Sequence, residues 1–216
     1  NGAIRILFSL DVRDTAAHAT SALALGFKLK AGDRIIADSG RVVPITHGPD
    51  GSAQSISYIA FHNLAPGTYE LQLSASDGSK HSAFVTHTVS AGLHTIGRYA
   101  LSDLLLAASV PNADGPFPVP AHLATRDQVV AGVEATASDH AALAHTTVRF
   151  EVISTNSREV IVSQEVTLSP NGPLSQFVRA TLNLATTSPR ECLAQASILA
   201  DGALVGLIDT PFQIAR

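Results

Sequence analysis

Leu64-Ala-Pro-Gly-Thr-Tyr-Glu-Leu-Gln-Leu-Ser-Ala-Ser-Asp-Gly78 is the stretch from which the architecture is read. Pro66 and Gly67 make a tight corner, and strict alternation follows it. Tyr69, Leu71, Leu73 and Ala75 point one way, while Glu70, Gln72, Ser74 and Ser76 point the other. Such period-two patterning is that of a half-buried strand, and Asp77-Gly78 supplies a hairpin signal at its far end. A tyrosine beside a corner is a device of Greek-key sandwiches, where the hydroxyl ties down the preceding connection. Pro66, Gly67 and Tyr69 are therefore expected to form a structural corner.

The same grammar extends outward in both directions. Alternation marks strands at 4–12, 22–30, 34–45, 55–61, 68–76 and 82–90, then at 128–137, 146–153, 159–168, 176–184, 192–200 and 203–214. Asp50-Gly51, Asp77-Gly78 and Asp201-Gly202 read as turns. Between the two series lies Val110-Pro-Asn-Ala-Asp-Gly-Pro-Phe-Pro-Val-Pro120, whose four prolines fit neither a central strand nor a helix. The expected organisation is an all-β chain of two tandem immunoglobulin/fibronectin type III-like Greek-key β-sandwiches. Domain 1 spans 1–110, a stiff linker 111–120, and domain 2 121–216.

The halves echo each other. Pro66 precedes Tyr69 by three residues, as Pro189 precedes Cys192, and each strand then runs to an Asp-Gly pair. The small row Cys192, Ala194 and Ala196, set against Tyr69 and Leu71, predicts a thinner second core. Cys192, the chain's single cysteine, has no internal disulfide partner and reads as a buried small hydrophobe.

Composition narrows the function classes. Charged residues make up 15% of 216 and the formal net charge is −4, with Lys and Arg scattered. No basic stripe is available for phosphate backbones, so nucleic acid is excluded as a partner. The apolar window 93–110 is interrupted by His94, Arg98 and Asp103, which leaves no membrane span. A surface this poor in charge is expected to contact protein, either neighbouring domains or copies of the same chain. The chain begins at Asn1 and contains no methionine, the expectation being a processed product or an excised piece.

The corner sequence 64–78, followed by a strand and by Tyr99-Ala-Leu-Ser-Asp-Leu-Leu-Leu106, resembles the region after the von Willebrand factor A domain in large secreted bacterial proteins. Ala203–Ile214 is similar to the closing strand of such modules. The resemblance implies tandem β domains with an accessory role, extracellular or at the cell surface. No metal-binding residue carries over from it, since the von Willebrand A domain itself is not in this chain.

Catalytic groups are hard to assemble from these residues. Gly-x-Ser-x-Gly is absent, Gly48–Ser52 reads as a plain loop, and no phosphate-binding glycine loop precedes a helix. His81 and His87 are ~20 Å apart if they share one strand, too far for one ion. Asp11 with Asp14, and Glu134 with Asp139, are the nearest carboxylate pairs. Asp139, His140 and His145 form the one weak candidate for a metal or hydrolytic site. Among Tyr58, Tyr69 and Tyr99, only Tyr99 is left as a stacking platform for a sugar or other ligand. The sequence thus favours a non-enzymatic structural and interaction module without a cofactor, self-associating through its edge strands. A carbohydrate- or ligand-binding module is the alternative.

Overall fold

A computed structural model describes residues 4–13, 22–44, 55–77, 81–108, 117–118, 128–185, 187–188 and 190–214. The chain is all-β and folds as two compact units, Asn1–Gly92 and Leu93–Arg216.

The first unit comprises β1 (Ile4–Arg13), β2 (Ala22–Ala31), β3 (Arg34–Pro44), β4 (Ser55–Leu64), β5 (Gly67–Ser76) and β6 (Ser82–Ala91). β1 pairs with β4, and the second sheet has the order β3-β2-β5-β6, all antiparallel. Alternation dictates the faces. Leu23, Leu25, Phe27 and Leu29 of β2 and Tyr69, Leu71 and Leu73 of β5 turn inward and are buried. Each such burial stabilises by roughly 1.5–3 kcal/mol. Phe8 of β1 meets Phe27 edge to face at 4.6 Å, joining the two sheets. On the outer face, Lys28 pairs with Asp38 and Lys30 with Glu70. A two-residue turn joins β2 to β3, and its Gly32 has φ 58°, a region open to glycine at little cost.

The second unit starts with short strands β7 (His94–Ile96), β8 (Tyr99–Leu101), β9 (Leu105–Ala108) and β10 (Phe117–Pro118). There follow β11 (Gln128–Ala137), a single helical turn α1 (His140–Leu143), β12 (Thr146–Ser154), β13 (Val160–Thr167), β14 (Ser175–Asn183), β15 (Arg190–Ala200) and β16 (Ala203–Ile214). β11 pairs with β14, and the facing sheet has the order β13-β12-β15-β16. Strand for strand, this repeats the first unit. What the second unit adds is β8 and β9, which together line the other edge of β11, with the β7–β8 hairpin at one end.

That addition corrects the expected domain boundary. The division falls between 92 and 93, ahead of the prolines, because β9 lies before them and pairs with β11 after them. Leu101, Leu104 and Leu106 share a core with Val129, Val133 and Phe150, so the proline-rich stretch is a connection inside the second unit. The expected thin second core is corrected as well. Small side chains of β15 pack among Phe150, Leu143, Leu182, Ile198 and the leucines of β8 and β9. Both β6 and β16 are edge strands, and β16 carries Pro211 opposite Leu193.

Candidate functional site

The corner is built as its residues demand. Tyr69 is buried at the start of β5, and its hydroxyl donates to the Ala65 carbonyl at 2.7 Å. This bond satisfies a backbone acceptor on the β4–β5 connection and holds Pro66 in place. An added Cβ on Gly67 would touch the Tyr69 ring at 3.6 Å, an ordinary contact. The cluster is structural.

The Asp-Gly pairs at 77–78 and 201–202 differ. Asp201 and Gly202 form a two-residue turn between β15 and β16, with φ of 50° and 77°. Two successive positive φ values are the mark of a type I′ hairpin, which Asp-Gly tolerates. Asp77 instead opens a longer connection to β6. Its carboxylate accepts from the His81 N–H at 3.2 Å and lies 2.8 Å from His81 Nδ1. Gly78 lies outside the described residues, as do Asp50, Gly51, Asp14 and the side chains of Asp11 and Tyr58.

Tyr99 is not a stacking platform. It is only 6% exposed, and its hydroxyl lies 2.8 Å from the Ala142 carbonyl and 2.9 Å from Thr146 Oγ1. Alternation on β8 turns Tyr99 and Leu101 inward together, which the sequence reading missed by leaving this segment without a strand. The signal was present but interrupted. Leu101 faces Ala135 and Leu105 faces Gly132, so Ser102, Asp103 and Leu104 stand opposite only two residues of β11. This bulge spaces the inward leucines by three and then two, which breaks a period-two search. Ser102 repairs the ladder: its N–H donates to the Glu134 carbonyl and its Oγ accepts from the Glu134 N–H, both at 2.9 Å.

Asp139 is fully engaged in local structure. Its carboxylate caps α1 by accepting from the Ala142 N–H at 2.9 Å and receives Arg98 Nη2 at 2.7 Å on both oxygens. Hydrogen bonding from Arg98, then from the Ala142 backbone and Ser138, holds its pKa at about 2. Arg98 is raised in return, first by that same hydrogen bond. His140 and His145 are exposed, and among the described residues no three metal-binding groups converge. His145 adopts φ 59° and its carbonyl accepts from the Asp201 N–H at 3.1 Å, a turn role. Glu134 is likewise occupied, by the Ser175 hydroxyl. Cys192 is buried in the core, and burial raises its thiol pKa.

The surface features the sequence did not single out are apolar side chains on outermost strands. Phe84 on β6 is 67% exposed, and Ile35 and Val42 are exposed on β3, at the opposite edge of the same sheet. On β16, Leu204, Val205 and Leu207 are exposed. In both sandwiches these strands end the four-stranded sheet.

No family model matches the chain, and no curated protein matches it. Among solved structures it is similar to a DUF3823 family protein from Bacteroides ovatus ATCC 8483, at 10% identity and TM-score 0.37, covering 89% of each chain. It is also similar to a glycosyl hydrolase family 2 member from Bacteroides cellulosilyticus DSM 14838, at 12% identity and TM-score 0.36. That match covers 98% of this chain and 28% of the other. The first is a likeness over whole chains, the second a likeness to about a quarter of a larger protein.

Proposed function

We propose that this chain is a non-catalytic structural and interaction module of an extracytoplasmic assembly, joining copies of itself or neighbouring proteins through its edge strands. The observation that carries the reading is the set of large apolar side chains exposed on β6 and β16, Phe84 and Leu207 among them. Apolar groups placed on the last strand of a sheet, beside unpaired backbone donors and acceptors, favour association with another polypeptide. The residues that carried the alternatives have other tasks: Tyr99 is in the core and Asp139 is a helix cap held by Arg98. The resemblance to the region following a von Willebrand factor A domain belongs to the same reading and supplies its extracytoplasmic setting.

Sedimentation velocity over a wide concentration range tests it. The expected result is concentration-dependent association of residues 1–216, weakened in the double variant Phe84→Ser/Leu207→Ser. A single monomeric species at every concentration overturns the self-associating form of the proposal.

A further inference from the structure

The repeated strand order allows the two units to be aligned residue by residue. Matching Tyr69 to Cys192, each three residues after a proline, starts β5 and β15 together and ends β6 and β16 together. The ladders then place Phe27 at Phe150, through Leu73 and Ala196. They place Val85 at Ile208, His87 at Thr210 and Ala83 at Gly206. All of these β6 and β16 residues are on the inward row, across from buried or partly buried positions of β5 and β15.

Their burial diverges. Ile208 is 9% exposed, whereas Val85 at the same place is 47% exposed. The cause lies in the opposite sheet. In the second unit, β11 carries β8 and β9 on its free edge, and β7 of that segment packs against β16. Ile96 sits so close over Gly206 that a methyl group there would collide with it. In the first unit, β1 is the counterpart of β11, and among the described residues nothing pairs with its second edge. β1 also meets β6, so the missing strand would lie over the exposed row Ala83, Val85 and His87.

We propose that the first unit is an incomplete sandwich whose groove, between the open edge of β1 and the inner face of β6, accepts an extended strand from a separate partner polypeptide. The strand adds antiparallel to β1, as β8 and β9 add to β11. Its backbone satisfies the outward N–H and C=O groups of β1, and its alternate apolar side chains cover Val85. The chemistry required is that of residues 99–108: uninterrupted by proline, with apolar residues on one face. A second copy of this chain is a poor donor, because every strand among its described residues is already paired within a sheet. This inference rests on the interaction-module reading but concerns a different surface, the inner row instead of Phe84 and Leu207.

The test uses the whole chain, isotopically labelled, and a free peptide with the sequence of residues 99–108 flanked by lysines for solubility. Saturable binding is expected, with slowed amide exchange confined to 4–13 and 82–91. Val85→Arg should weaken binding by at least about tenfold, since it places a charge against the strand's apolar face. Val85 is half exposed, so this variant folds. Phe84→Ser/Leu207→Ser should bind the peptide as the parent does, which keeps the two proposals separable. Loss of peptide binding with self-association intact sinks the groove alone, and a monomer that binds peptide sinks self-association alone. Protection in other strands, or unchanged affinity in Val85→Arg, overturns the inference. The same ten residues fused ahead of Asn1 through a flexible linker should occupy the groove and block the free peptide. Occupancy by the fused strand without binding of the free peptide overturns supply by a separate chain.

Discussion

The first and second units share one strand order but differ in how completely they are covered. In the second, β8 and β9 line the edge of β11 and Ile208 on β16 is buried. In the first, nothing among the described residues pairs with the equivalent edge, and Val85 stands half exposed on what is formally an inner face. Identical pairing logic therefore does not give identical cores. One flanking strand decides whether the last strand of the facing sheet contributes to burial or hangs at the margin.

Substitutions at aligned positions sharpen this contrast, with residue-resolved hydrogen exchange under mild denaturant reporting each unit separately. The largest effect is expected at the aligned phenylalanines. Phe150→Ala removes a ring with no solvent exposure and should cost the second unit about 3–5 kcal/mol. Phe27→Ala should fall at or below the bottom of that range, about 3 kcal/mol, because water reaches the adjoining open groove. Next come the aligned β-branched residues. Ile208→Ala should cost about 2–4 kcal/mol, whereas Val85→Ala should stay within about 0.5 kcal/mol. Equal losses at the two positions would erase the distinction between covered and uncovered strands.

A smaller effect is expected at the corner. Tyr69→Phe leaves the ring in place but removes the bond to the Ala65 carbonyl, costing about 0.5–1.5 kcal/mol in the first unit. Cys192, at the aligned position, has no hydroxyl to lose, so Cys192→Ala should change the second unit by less than about 1 kcal/mol. The smallest effect is electrostatic and confined to the second unit. Asp139 has a folded-state pKa of about 2, below the ordinary carboxylate value of about 4. Its contact with Arg98 therefore favours the folded state above that ordinary value and is lost as pH falls through about 2. Arg98→Ala should flatten the acid dependence of the second unit over that window while leaving the first unchanged, as followed by acid titration of exchange rates.

Much of this was legible in the residues. The twelve long strands follow directly from alternation, and β2 shows why: four apolar side chains interleaved with Ala24, Gly26 and two lysines admit only one inward face. The Tyr69 corner and the Asp201-Gly202 turn were equally plain, since each depends on local chemistry. The boundary was misplaced because prolines mark where a strand cannot continue, not where a core ends. The segment 94–108 escaped because its bulge shifts the inward spacing at Ser102–Leu104, and Tyr99 was misassigned with it. The groove beside β1 could not be seen from one unit's sequence. It emerges only when the same ladder is compared with and without its flanking strand.

Pro211 carries a consequence for how the molecule fails. It removes a backbone donor on β16, and Asp209 places a charge two residues away, so that margin resists templated growth into fibrils. β6, Ser82-Ala-Phe-Val-Thr-His-Thr-Val-Ser-Ala91, has neither proline nor lysine, arginine, aspartate or glutamate to act as a gatekeeper. On heating, insoluble aggregates should be seeded through β6, and a lysine introduced at Thr86 should delay their appearance.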